Sequence, residues 1–223
     1  MSDAISVARE LAAKIDHTLL RADAAEEEIR RLCDEAVRYG FASVCVNSRW
    51  VPMARELLKA EQPLVCSVVA FPLGAMAAPL KAKEAAWAVE AGARELDMVI
   101  DLASLKAGAE RAVQDDIAGV VEAAPHAKIK VILETGLLDD ATIARACILA
   151  QAAGAHFVKT STGFGPRGAT TEDVRLMRAT VGAAMGVKAS GGIRDRATAL
   201  AMLDAGADRL GSSSGIRIVA GVD

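Results

Sequence analysis

Residues 89–100 read VEAGARELDMVI, an alanine-rich helical pattern that breaks at Ala91-Gly92-Ala93 and runs straight into an apolar strand. The unit recurs as AQAAGAHFVKT at 150–160 and LDAGADRLGS at 203–212, with a looser copy, RYGFASVCV, at 38–46. Glycine suits the position just past a helix end, because the left-handed conformation needed there costs it no Cβ clash. Each copy therefore predicts a helix, a glycine stop and a strand.

Working outward, apolar and β-branched runs mark eight strands. They are KIDHT (14–18), ASVCV (42–46), LVCSVVA (64–70), RELDMVI (94–100), KIKVIL (128–133), AHFVKT (155–160), GVKAS (186–190) and ADRLG (207–211). Between them lie helical patterns such as AAEEEIRRLCDEAVRY, KAKEAAWAVEA, DDATIARACILAQAA and TEDVRLMRATV. Strands apolar on both faces, alternating with helices, imply a parallel sheet covered by helices. Eight such units close into a (β/α)8 TIM barrel, typically in about 250 residues; at 223 residues this chain is a compact example. The alternative is an open doubly wound sheet, whose usual G-x-G-x-x-G turn after the first strand is absent. No linker or low-complexity stretch divides the chain, so one domain spanning 1–223 is expected.

Composition narrows the function. A net charge of -3 argues against a nucleic-acid partner, which demands a basic face. No Lys/Arg run points to an anionic membrane. The uncharged stretch from Gln62 to Leu80 nearly reaches membrane-spanning length, but Pro63, Pro72, Gly74 and Pro79 interrupt it, so it reads as a buried strand and a loop. The opening residues carry charges throughout and lack a secretory pattern. Cys33, Cys45, Cys66 and Cys147 form no C-x-x-C pair, and His17, His126 and His156 show no ligand spacing with them. Reduced thiols in the cytoplasm, with no metal and no cofactor, are expected.

In such a barrel catalytic groups sit at the C-terminal ends of the strands. Those ends carry Asp16, Cys45 and Asn47, Asp97, Glu134, Lys159 and Lys188. Lys159 and Lys188 are about one βα unit apart, which places them on adjacent strands at similar height. A free lysine near pKa 10.4 is neutral in only about 4 molecules per 10,000 at pH 7, and lowering its pKa by roughly 3 costs about 4 kcal/mol. Burial and a neighbouring cation both push that way. The usual gain is a nucleophilic amine that forms a Schiff base with a carbonyl. The plainer reading is an ion-paired or snorkelling lysine, and Lys130 fits it as a residue of the solvent-reaching rim. Asp97 on a neighbouring strand reads either as a simple ion-pair partner or as the group that keeps Lys188 an acid beside Lys159. Cys45 reads more readily as a small buried hydrophobe than as a functional thiol.

The loops after strands seven and eight read SGGIRD and GSSSGIR. These positions frequently bind phosphate in this fold, through backbone amides, hydroxyls and a helix end, although Gly and Ser also fill any tight turn. A third loop, STG at 161–163, faces the same side. From the residues alone, the expectation is an enzyme that forms an imine with a small phosphorylated carbonyl compound.

The motifs KIDHTLL (14–20), SVCVN (43–47), FPLGA (71–75), ELDMVI (95–100), KVILETG (130–136), FVKTSTGF (157–164) and VKASGGIR (187–194) span nearly the whole chain in order. Together they resemble the deoxyribose-phosphate aldolases, class I Schiff-base enzymes on a TIM barrel. The resemblance implies reversible cleavage of 2-deoxy-D-ribose 5-phosphate to D-glyceraldehyde 3-phosphate and acetaldehyde. It implies Lys159 as the Schiff-base lysine, with Lys188 and Asp97 as a proton relay. It also implies Asp16 as a substrate hydroxyl contact, Thr160 as a substrate-binding residue next to the lysine, and Gly163, Gly191, Gly192, Gly211, Ser212, Ser213 and Ser214 around the phosphate. The partners expected are small phosphorylated sugars and aldehydes. Trp50, Met53 and Trp87 on outer helices fit either a homodimer or higher homo-oligomer or packing on a neighbouring helix, and the sequence does not choose.

Overall fold

The computed structural model describes residues 2–59 and 62–221. Eight strands, β1 (Ile15–Leu19), β2 (Ser43–Val46), β3 (Leu64–Val69), β4 (Glu95–Val99), β5 (Lys128–Ile132), β6 (Phe157–Lys159), β7 (Gly186–Ser190) and β8 (Arg209–Ser212), pair in parallel with their sequence neighbours, and β8 pairs with β1 to close a barrel. Around it run α1 (Ser2–Ala12), α2 (Glu26–Tyr39), α3 (Val51–Leu57), α4 (Ala78–Glu90), α5 (Leu102–Lys106), α6 (Glu110–Ala123), α7 (Asp140–Ala152), α8 (Thr171–Val181), α9 (Arg196–Asp204) and α10 (Gly215–Ala220). The TIM-barrel expectation is met.

The glycine stops behave as their chemistry requires. Gly92, Gly154 and Gly206 all have positive φ. Behind each, the second alanine donates its N–H across the helix end: Ala93 to Ala88 O at 2.9 Å, Ala155 to Ala150 O at 3.1 Å and Ala207 to Met202 O at 3.0 Å. Phe41 does the same to Ala36 O behind Gly40. The reused backbone motif satisfies the last helical carbonyls and turns the chain into the next strand. Boundaries differ from the sequence reading by up to three residues, most at α4, whose helical pattern starts at Lys81. That helix begins at Ala78 because Pro79 fits the first turn, where no N–H is needed.

The layer between sheet and helices is aliphatic, with Ile29, Val44, Leu96, Ile117, Ile129 and Met177 fully buried. The barrel interior differs. Where such barrels usually stack branched aliphatic side chains, this one buries Asp16, Glu95, Asp97, Lys130, Lys159 and Lys188 at 3% exposure or less. Lys130 departs from expectation. It is not on a solvent-reaching rim but lies fully buried at the barrel axis, in register with Asp97. Lys128 and Lys130 share one face of β5, as residues two apart must. Lys128 meets solvent where the strand enters the barrel, and Lys130, one step further in, meets the carboxylate. No helix among the described residues is long and apolar enough to cross a membrane.

Candidate active site

Register brings the chemistry together. Lys159 pairs with Lys188 across β6–β7, Asp97 with Lys130 across β4–β5, and Asp16 with Gly211 across β1–β8. Asp97 is the hub. Its Oδ2 accepts from Lys159 Nζ at 2.7 Å and from Lys188 Nζ at 2.7 Å. Its Oδ1 accepts from Lys130 Nζ at 2.9 Å and from the Cys66 thiol at 3.3 Å. A second tier lies beneath: Lys188 bonds Asp16, Lys130 bonds Glu95 at 2.7 Å, and Arg209 reaches both Asp16 and Glu95. Ser43 donates to Asp16 Oδ1 at 2.7 Å.

The cluster explains its own protonation. Burial alone would raise Asp97, but Lys130, Lys159 and Lys188 outweigh it and hold the carboxyl well below the ordinary range. Burial likewise opposes ionisation of Asp16, and Lys188, Lys130 and Arg209 overcome it. Burial would pull Lys188 down, yet Asp16 and Asp97 keep it an ammonium above the usual lysine range. Lys130 is held charged in the same way, chiefly by Asp97. Fully ionised, the set carries three negative charges (Asp16, Glu95, Asp97) and four positive (Lys130, Lys159, Lys188, Arg209), a net of one positive charge.

Lys159 stands apart within this set. It contacts a single carboxylate, and it is the one of the four cations that lines the cavity at the C-terminal end of the barrel. That cavity, about 380 Å³, is walled by loops after β1, β6, β7 and β8. Gly163, Gly191, Gly192, Gly211, Ser212 and Ser213 all line it. The loops are built tightly. Ser190 Oγ donates to Ser161 O at 2.5 Å, and Glu134, itself left-handed at φ 55, accepts from the Thr162 amide and hydroxyl. Gly168 and Gly191 are in backbone contact, so that a Cβ on Gly168 would stand 2.1 Å from Gly191 O. No side chain larger than hydrogen fits at Gly168 without parting the β6 and β7 loops.

Three predicted site residues sit elsewhere. Asp16 is fully buried in the second tier and turned to Lys188, Arg209 and Ser43 instead of the cavity. Thr160 is buried between strands, its hydroxyl donating to Ser190 O at 3.1 Å and accepting from Ser190 N at 3.0 Å. Ser214 lines a neighbouring cleft under α2, and its N–H is taken by Ser212 Oγ at 2.9 Å. Conversely, sequence reasoning passed over Arg21 and Arg194, which line the cavity, and Glu95 and Arg209, which brace the network. Glu95 was legible: it lies two residues from Asp97 in RELDM and therefore shares its face. Phe164 also lines the cavity, with Phe71 edge-on to it at 5.4 Å.

Cys45, Cys66 and Asp97 place one ligand atom each within 4.8 Å of one another. Both oxygens of Asp97 already serve three ammonium groups, so the site repels a further cation.

The model of the DeoC/LacD family aldolases matches residues 11–221. A deoxyribose-phosphate aldolase of Carboxydothermus hydrogenoformans is 55% identical over 216 residues, covering 95% of each chain. One from Methanothermobacter thermautotrophicus is 54% identical, covering 97% of each. Among solved structures, a tetrameric deoxyribose phosphate aldolase of Aeropyrum pernix superposes with a TM-score of 0.89 at 36% identity, over 98% of this chain and 96% of that one.

Proposed function

The chain belongs to the DeoC/LacD family of aldolases, and from that premise we propose that it reversibly cleaves 2-deoxy-D-ribose 5-phosphate to D-glyceraldehyde 3-phosphate and acetaldehyde through a Schiff base on Lys159. The observation that carries this reading is the position of Lys159, open to the cavity yet 2.7 Å from a carboxylate shared with a second buried lysine. The names and identities of the relatives support the substrate.

The Lys159 amine adds to C1 of the open-chain aldehyde, and loss of water gives an iminium that serves as an electron sink. A water held by Asp97 and Lys188 removes the proton of the C3 hydroxyl. The C2–C3 bonding pair moves into the C1–C2 bond, releasing glyceraldehyde 3-phosphate and leaving an enamine. Return of a proton to C2 regenerates an iminium, and water frees acetaldehyde and Lys159. Lys188, held as an ammonium by Asp16 and Asp97, contributes a fixed positive charge and hydrogen bond to the relay in these steps. Proton transfer by a positioned group contributes typically about 10²- to 10⁴-fold. In this reading the phosphate lies against Gly191, Gly192 and Ser213, which line the cavity together with Arg194.

A homo-oligomer in the cytoplasm completes the reading. The tetrameric relative supports assembly, as do Leu80 and Trp87, both about half exposed on α4; four free buried thiols suit a reducing compartment. Borohydride trapping with deoxyribose 5-phosphate, followed by peptide mass mapping, tests the assignment. A reduced adduct on Lys159 is expected; an adduct on Lys188, or none while the sugar phosphate still binds, refutes it.

A further inference from the structure

The three Ala-Gly-Ala copies differ in the residue that follows them, and one copy leaves its chemistry incomplete. In each, that residue donates its backbone N–H to the second residue of the preceding strand: Asp208 to Val187 O at 2.8 Å, His156 to Ile129 O at 2.9 Å and Arg94 to Val65 O at 2.8 Å. In two copies the side chain returns the bond. Asp208 Oδ2 accepts the Val187 N–H at 2.8 Å, and His156 Nδ1 accepts the Ile129 N–H at 3.1 Å. Arg94 cannot do so for Val65, because a guanidinium has no acceptor.

The helix packed over each glycine sharpens the contrast. Arg178 of α8 covers Gly206, where an added Cβ would lie 2.9 Å from Arg178 Cγ, and its guanidinium pairs with Asp208. Arg55 of α3 covers Gly92 in the same way, where a Cβ would lie 2.6 Å from its Cγ. Its guanidinium is steadied by Leu58 O at 3.0 Å, but the residue in the place of Asp208 is Arg94. Where one copy sets arginine against aspartate, this copy sets arginine against arginine. The two cations, with Lys59, line a pocket of about 270 Å³ at the N-terminal end of the barrel, together with Val65 and Gly92, and no carboxylate lines it among the described residues.

We propose that this pocket is an anion site for a phosphate dianion, free or as the ester of a small metabolite, bridging Arg55, Arg94 and Lys59 and accepting the Val65 N–H as Asp208 accepts that of Val187. Arginine forks are suited to phosphate oxygens. The site lies at the opposite end of the barrel from Lys159, so its ligand acts on stability and not on turnover. Any ligand bound only to the folded state raises the melting temperature with its concentration.

The test is a thermal-unfolding titration with inorganic phosphate and, in a second arm, glycerol 3-phosphate, on the wild type and Arg94→Asp. The introduced carboxylate supplies internally what the anion supplies. Without phosphate the variant is expected to melt at or above the wild type. Its phosphate-dependent rise should shrink to that of the catalytic cavity, as this site weakens about tenfold or more, with kcat and KM unchanged. A larger difference between the proteins with glycerol 3-phosphate assigns an ester, an equal one the free ion. Arg55→Gln is the second variant, expected to lose the same share of the rise. An identical phosphate-dependent rise in the wild type and both variants overturns the proposal.

Discussion

Replacing Asp97 by asparagine separates the structural from the chemical work of the buried network. Asparagine keeps the shape but removes one of three negative charges, so two carboxylates face four cations and the net charge rises from one to two. All four groups touching the Asp97 carboxylate are essentially buried, Lys159 at 3% and the rest at 0%. Removing one partner of a buried ionic cluster costs about 3–5 kcal/mol. For a chain of this size each kcal/mol lowers Tm by about 2–4 °C, so a fall of about 6–20 °C is expected. Loss of the proton relay lowers kcat by about 10²- to 10⁴-fold, or roughly 3–5 kcal/mol in the barrier. Imine formation needs only the Lys159 amine and the substrate aldehyde, so borohydride should still trap an adduct on Lys159. Stopped-flow turnover, calorimetry and trapping on one preparation distinguish the roles. A kcat within about threefold of the parent, with Tm lowered, would make Asp97 purely structural and refute the relay. Loss of the trapped adduct would mean that Asp97 acts by placing Lys159 and not by moving protons.

Further expectations follow from neighbouring geometry. A Cβ at Gly211 would stand 3.1 Å from Lys188 Cε and 3.0 Å from Ser190 Cβ, so Gly211→Ala should lower kcat more than it raises KM, read from steady-state kinetics; an effect on KM alone contradicts this. Asp16 and Asp97 are held low, so their stabilisation is present above the ordinary carboxyl pKa of about 3.9 and is lost as pH falls through their lowered values; Lys130 and Lys188 are held high, so theirs is present below about 10.4 and lost as pH rises through their raised values. The cluster's contribution to Tm should therefore be flat between about pH 5 and 9 and fall on the acid side, less steeply in Asp97→Asn; equal acid slopes would exclude Asp97 from the linkage. At Gly40, φ is 72 and a Cβ would have nothing within 4 Å, so Gly40→Ala should cost about 1–2 kcal/mol by denaturant melt with kcat unchanged.

The barrel and the proposed nucleophile were largely legible in the chain. Local chemistry governs them: glycine alone takes the turn behind each helix without strain, and aliphatic runs between such turns have few places to go but a covered parallel sheet. Spacing of one βα unit placed Lys159 beside Lys188, and the barrel rule placed both at the catalytic end. Strand periodicity also says which residues share a face, a signal that would have tied the overlooked Glu95 to Asp97. It does not say whether that face looks to solvent or to the barrel axis, or how deep each step lies. Lys128 and Lys130 share a face of β5, yet one is exposed and the other fully buried on Asp97. Asp16, read as a substrate contact, and Arg209, read as ordinary strand, meet beneath Lys188 from opposite ends of the sequence. Those contacts exist only because closure brings β8 against β1. The sequence by itself determined the fold and the amine; tertiary structure decided which charges neutralise one another, because that depends on distances across the closed barrel that no local pattern records.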